Sequence, residues 1–323
     1  PCVDGHLVII HAITANWGKQ GPARDRFYAF DKDTGDLVWS STPGITPKDS
    51  SFAPLTFEDL PDGRRVFYSG TGCGHVVCID TRTGQALWRF QMSYGGVNAG
   101  IVIHNDSIIA VHGKENIDST IIGRMVAIKK PDSLPGLGED ILVLGKDHEI
   151  WRNNGIEAFT STPVYRDGRV YSTIKRGELV CLDASTGEEH WVLKLAPDQI
   201  HASPTWADGR LYVPMFNGKV FVVEDVGDSG KVINEMDLGS ACLAAPAVAH
   251  GRASLNLKPL IFDTGATSHF LTTTTPAPEK TKTTNPLTVQ LPDQSTIQST
   301  HTAQLPIQTT LLPPLATKSH MFP

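Results

Sequence analysis

Short apolar runs alternate with clusters of turn-forming residues along the chain up to about residue 252, and their spacing predicts strands rather than helices. Runs such as Phe27-Tyr28-Ala29-Phe30 and Glu178-Leu179-Val180-Cys181-Leu182 are only a few residues long and rich in aromatic and β-branched side chains. Hairpin signals sit between them. Asp62-Gly63-Arg64, Asn105-Asp106, Asp167-Gly168-Arg169 and Asp208-Gly209-Arg210 each supply residues that accept positive φ. A further short strand opens ahead of each hairpin on a small residue and often a proline, as at Ala53-Pro54, Thr162-Pro163, Ser203-Pro204 and Ala245-Pro246.

The runs belong to an internal repeat, Asp-x-x-Thr-Gly-x-x-x-Trp. It occurs at Asp31, Thr34, Gly35 and Trp39, at Asp80, Thr83, Gly84 and Trp88, and at Asp183, Thr186, Gly187 and Trp191. A weaker copy ends at His148-Glu149-Ile150-Trp151 without the Thr-Gly, and another, from Glu224-Asp225 to Met236, lacks the tryptophan. The aspartate can accept bonds from backbone amides two residues on, the glycine takes positive φ, and the tryptophan on the returning strand can seal the space between neighbouring sheets. Asp31, Asp33 and Asp36 alternate as in a calcium loop, but turn chemistry accounts for them. Four short strands in roughly 40 residues make one propeller blade.

These repeats resemble those of the pyrroloquinoline-quinone-like propeller superfamily, which includes quinoprotein alcohol dehydrogenases and the outer-membrane-assembly lipoprotein. The resemblance covers residues 1 to about 252, with insertions after Trp39 and at about 131 to 147. The repeats count to about five four-stranded blades plus a stub, where the resemblance implies closure with seven or eight. Such an arc would leave sheet edges unpaired and open to association.

Composition narrows the partners. The 323 residues are 19% charged and 40% hydrophobic, which fits a globular chain. A net charge of -6 with a pI near 6.1 argues against nucleic acid as the propeller's partner. No run reaches the roughly 18 apolar residues of a membrane span. The chain starts at Pro1 rather than Met, so any signal peptide is removed or not included. The resemblance implies a periplasmic or extracytoplasmic location. Cysteines 2, 73, 78, 181 and 242 are odd in number and scattered, which is no disulfide framework. Cys73 and Cys78 could form a metal half-site, but no matching pair follows. Buried strand positions are the expectation for Cys78 and Cys181, which sit at equivalent places in two repeats.

The resemblance offers an enzyme or a scaffold. Quinoprotein dehydrogenases hold pyrroloquinoline quinone and calcium in the channel, with carboxylates as ligands and base and adjacent cysteines beside the quinone. No two cysteines here are adjacent, and no carboxylate cluster stands out beyond the turn aspartates. The expected function is therefore non-catalytic binding or assembly with no cofactor, quinone-dependent oxidation being the alternative. A protein or small-molecule ligand is expected at the channel mouth, where Ser51, Val97, Thr160, His201 and Leu243 occupy equivalent positions two residues before the blade openings. His201 is the most versatile of them chemically, although a structural hydrogen-bonding role is the commoner fate of a single histidine. Trp17 lies outside the repeat in the first long loop and is a candidate channel cap.

After Arg252 the repeat stops in mid-strand and the chain turns Thr-, Pro- and Gln-rich, without Trp or Tyr. Within it, Leu260-Ile261-Phe262-Asp263-Thr264-Gly265-Ala266 resembles the catalytic loop of retroelement aspartic proteases. That resemblance would make Asp263 half of a carboxylate pair completed by a dimer partner, with Thr264 bracing the loop and Gly265 allowing close backbone approach. Only about 60 residues follow Asp263 and no closing apolar-apolar-Gly strand is visible, so activity is not expected. A propeller cut in mid-strand beside a shortened protease segment points to a fusion junction near residue 253. The expected fold is all-β: a partial propeller over 1–252 followed by a poorly packed β or disordered tail over 253–323.

Overall fold

The computed structural model describes residues 1–12, 25–46, 48–199 and 201–249, followed by the backbone of seven short strands from Arg252–Ser254 to Lys318–Phe322. The chain divides into two compact units, Pro1–Ala253 and Ser254–Pro323.

Five four-stranded antiparallel meanders make up the first unit. Sheet one contains β1 (Cys2–Asp4), β2 (Leu7–Ala12), β3 (Arg26–Asp31) and β4 (Leu37–Ser41), and sheet two β5 (Thr56–Asp59), β6 (Arg65–Gly70), β7 (His75–Asp80) and β8 (Ala86–Gln91). Sheet three contains β9 (Val102–His104), β10 (Ser107–His112), β11 (Arg124–Lys129) and β13 (Glu149–Asn154). Sheet four runs from β14 (Val164–Arg166) through β15 (Arg169–Ile174) and β16 (Glu178–Asp183) to β17 (Glu189–Lys194). Sheet five runs from β18 (Thr205–Ala207) through β19 (Arg210–Pro214) and β20 (Lys219–Asp225) to β21 (Gly230–Asp237). The pair β22 (Ala247–Ala249) and β23 (Arg252–Ser254) forms the stub. The fold is the partial propeller that the repeat predicts.

Strands β7, β10 and β11 read as nearly unbroken apolar runs because each is buried on both faces. Alternate residues of β7 go opposite ways. Val77 and Ile79 pack with Ile9, Phe27 and Trp39 of sheet one, whereas Val76 and Cys78 pack with Ile108 and Val126 of sheet three. The same division recurs in β16, where Val180 and Leu182 meet sheet three and Leu179 and Cys181 meet Leu211 and Phe221 of sheet five. The core is thus a series of slabs between consecutive sheets, and Cys78 and Cys181 are apolar members of two of them. Burial pushes the Cys181 thiol up to about 12 and raises Cys78 as well, so both stay protonated.

The repeat motif locks the slabs between sheets one and two, three and four, and four and five. Oδ1 of Asp31 accepts from the backbone N–H of Asp33 and Thr34, and Oδ1 of Asp183 from those of Ser185 and Thr186, all at 2.8–2.9 Å. These are turns, as expected for Asp31, and not an ion loop. The tryptophan of one sheet then seats on the turn of the next. Trp39 Nε1 donates to Thr81 O and Trp151 Nε1 to Ala184 O, each at 3.0 Å, and Trp191 Nε1 donates to Asp225 Oδ1 at 3.2 Å. Gly84 and Gly187 have φ of +73° and +72°, and a Cβ on either would stand 2.5 or 2.3 Å from the preceding sheet's indole. Glycine is therefore needed there twice over, for conformation and for space.

One strand departs from the simple repeat. The insertion after β11 carries β12 (Leu142–Leu144) back to pair in parallel with β8 of sheet two, making that sheet five-stranded. Leu144 and Leu134 pack into the slab around Trp88. The second unit contains a sheet in the order β24 (His269–Thr272), β29 (Lys318–Phe322), β28 (His301–Gln304), β25 (Lys280–Lys282), and a hairpin of β26 (Thr288–Gln290) with β27 (Thr296–Gln298).

Candidate functional site

The blade-opening residues mostly tie one sheet to the next. Ser51 is fully buried, and its hydroxyl donates to Val97 O at 2.7 Å and Gly70 O at 3.1 Å. Thr160 lies 2.9 Å from His201 Nδ1 through its hydroxyl, which also reaches His201 O at 3.3 Å. Two residues further on, Thr162 N–H donates to Ser203 Oγ, and Thr205 Oγ1 donates to Pro246 O. Each of these later bonds spans 41 residues, one repeat. Hydroxyls at these positions replace the ladder hydrogen bonds that separate sheets cannot share. Val97 is fully buried and Leu243 exposed.

Beside this seam, loops at one end of sheets two, three and four enclose a cavity of about 440 Å³ lined by Asn98, His112, Glu115, Glu157, Phe159 and Gln199, among others. Two ion pairs frame it, Lys48 with Glu115 and Lys175 with Glu157, each at 3.1 Å. Burial holds the His112 imidazole below its usual value, and its Nε2 lies against Lys114 O. Phe159 contacts the Phe52 ring edge to face at 6.5 Å and the His201 ring at 5.7 Å. Both phenylalanines are exposed, at 43% and 54%. Tyr94, also exposed, is anchored by its N–H to Glu115 O. The result is an apolar patch of aromatic rings with a polar, charged rim.

A second cluster is wholly internal. Cys73 Sγ lies 3.2 Å from His75 Nδ1 and 3.1 Å from the Thr71 hydroxyl. Burial pushes the imidazole down to about 4, leaving it neutral near pH 7. Gly72 N–H donates to Asp25, whose other oxygen is 3.6 Å from His11 Nε2. Cys73 faces the loop at Ile45, away from Cys78 in the slab, so the two do not converge as a half-site.

A calcium ion beside a quinone needs several convergent carboxylate oxygens. Of the three carboxylates lining the cavity, Glu115 and Glu157 each turn to a lysine and Asp49 accepts from the Ser50 N–H, and among the described residues no three His, Cys, Asp or Glu side chains converge as a ligand set. The described residues do not fit that group.

Of the other positions singled out in the sequence, Trp17, Asp263, Thr264 and Gly265 lie outside the described residues. Phe52 and Phe159 were not singled out. They directly adjoin Ser51 and Thr160, and their signal was a bulky apolar residue in a polar connection where the repeat requires none. Among the described residues no helix is long and apolar enough to cross a membrane.

The model of the family described as "Outer membrane protein assembly factor BamB" matches residues 23–128 and 141–232, together more than half of the chain. No curated protein matches the chain by sequence. Among solved structures, BamB from Moraxella catarrhalis is similar at a TM-score of 0.54 and 14% identity, over 76% of this chain and 65% of that one. The quinohemoprotein alcohol dehydrogenase from Comamonas testosteroni is similar at 0.50 and 15% identity, over 73% of this chain and 42% of that one. The chain thus spans less than two thirds of the length of either, and at these identities the likeness is one of fold.

Proposed function

The chain belongs to the family described as outer membrane protein assembly factor BamB, and on that premise we propose that its propeller unit is a non-catalytic scaffold that holds a protein partner outside the cytoplasm. The observation that carries the reading is the exposed aromatic patch of Phe52 and Phe159, in edge-to-face contact beside a cavity rimmed by the Lys48–Glu115 and Lys175–Glu157 pairs. An aromatic centre inside a charged rim is the usual anatomy of a protein-binding hot spot. The hydroxyls of Ser51 and Thr160 serve the seams between blades and leave the neighbouring ring and lysine side chains to meet a partner.

The test is calorimetric titration of the full chain with purified outer-membrane protein assembly machinery. The double variant Phe52→Ser, Phe159→Ser is expected to bind at least tenfold more weakly while unfolding within about 2 °C of the parent, because both rings are already solvent-exposed. Equal affinity of parent and variant would move the contact elsewhere. Dye reduction after reconstitution with pyrroloquinoline quinone and calcium would instead favour the oxidoreductase reading. The peptidase reading of the tail has its own criterion, pepstatin-sensitive cleavage at acid pH that Asp263→Asn abolishes.

A further inference from the structure

A cavity of about 710 Å³ opens between sheets two and three, sharing no lining residue with the cavity beside the aromatic patch, and Trp88 forms part of its lining. Three of the four repeat tryptophans donate their indole N–H to the turn that ends the third strand of the following sheet, at Thr81 O, Ala184 O and Asp225 Oδ1. Trp88 is the fourth. It is 1% exposed, yet its N–H has no acceptor among the described residues.

The register explains the vacancy in the pattern. Cys78 pairs with Trp88, Cys181 with Trp191 and Ala127 with Trp151, so Lys130 corresponds to Thr81 and Ala184. Its backbone N–H is still held, by Asp106 O, as Thr81 N–H is by Arg65 O. After it, however, the chain reads Pro131-Asp132-Ser133-Leu134 in place of x-Thr-Gly, so the docking turn is missing. Lys130 Nζ turns instead to Glu58 at 2.6 Å and Asn105 O at 2.9 Å, and the insertion passes outside the indole to form β12. The N–H is reachable from the cavity that Trp88 lines, and an acceptor placed there would complete the bond that the missing turn leaves unmade.

We propose that this cavity binds a turn-forming peptide segment of a partner protein, whose backbone carbonyl accepts the Trp88 indole N–H in place of the missing turn. Charge specifies the segment further. Glu58, Asp62, Asp106 and Asp132 line the space against Arg64 and Lys130, an excess of acid, and Asp106 forms no ion pair among the described residues. Tyr68 and Leu134 supply an apolar wall beside the indole. The bound segment is therefore neutral or basic, with an Arg or Lys side chain directed to Asp106.

The protein contains a segment of this chemistry already: Asp80-Thr81-Arg82-Thr83-Gly84-Gln85, the turn on which Trp39 docks. As a capped hexapeptide it is the probe, titrated into the full chain labelled with 5-fluorotryptophan and followed by fluorine NMR, with the Trp88 resonance assigned by Trp88→Phe. Saturable displacement of that one resonance is expected, with a dissociation constant of about 0.1–1 mM for so small a ligand. A peptide with Glu in place of Arg should bind at least fivefold more weakly, and Asp106→Asn, which leaves the core untouched, should remove that preference. The proposal is overturned if the Trp88 resonance does not move at 5 mM peptide, or if both peptides bind alike.

Discussion

Replacing Gly187 by alanine tests the idea that the repeat glycine serves the neighbouring blade as well as its own turn. Gly187 has φ of +72°, and its new Cβ would meet Trp151 Cε3 at 2.3 Å. The left-handed conformation costs an alanine about 1–2 kcal/mol, and forcing a methyl group into a packed ring adds about 1–3 kcal/mol, for a loss of about 2–5 kcal/mol. Gly168 is the control: its φ is +79°, but nothing stands within 4 Å of a Cβ there. Gly168→Ala should cost about 1–2 kcal/mol, partly offset by the stiffer unfolded chain. In a unit of this size each kcal/mol moves the melting temperature by about 2–4 °C. Scanning calorimetry should thus show a fall of a few degrees for Gly168→Ala and about 5–15 °C for Gly187→Ala. Gly84→Ala, against Trp39 at 2.5 Å, should behave like the second. In a Trp151→Leu background the excess at Gly187 should shrink, since the coupled pair has lost its larger member. Equal losses at Gly168 and Gly187 would refute the docking argument.

Two further outcomes follow from the seams. Burial alone would raise Asp225, but the Tyr171 hydroxyl, the Gly227 N–H, the Trp191 indole and Arg169 hold the carboxyl below its ordinary value. A depressed carboxyl stabilises the fold above its unfolded value near 3.9 and loses that contribution as pH falls through the folded one. Urea midpoints measured from pH 5 down to pH 2 should therefore drop less steeply for Asp225→Asn than for the parent, and parallel curves would contradict the assignment. Ser51→Ala removes the one hydroxyl proton that the Val97 carbonyl and, more distantly, the Gly70 carbonyl share, and should cost about 1–3 kcal/mol in the same assay, whereas a neutral result would mean that the seam does not depend on it.

The repeat was legible because its parts are local. An aspartate that caps its own turn and a glycine at positive φ leave a mark within five residues, as at Asp183 to Gly187. The burial of Cys78 and Cys181 was readable too, from their equivalent places in two apolar strands. The channel-mouth positions were legible as positions but not as contacts. Ser51, Thr160 and His201 align by period, yet the partners of the first two lie 46 and 41 residues away across a seam. The aromatic patch was invisible for the same reason, since Phe52 and Phe159 are more than a hundred residues apart and belong to no repeat position.

The sequence by itself determined the number of blades, the turn at the end of the third strand wherever Asp-x-x-Thr-Gly is kept, and the tryptophan on the returning strand that faces the next sheet. Those features follow from strand period and turn chemistry, which act over a few residues. Tertiary structure alone decided where the insertion after β11 goes. Its strand β12 adds in parallel to β8, an edge made by residues some 50 positions earlier, because Leu134 and Leu144 find their apolar cover in the slab around Trp88. That choice depends on which sheet edge and which buried surface are free once the blades have packed, and no local pattern carries that information.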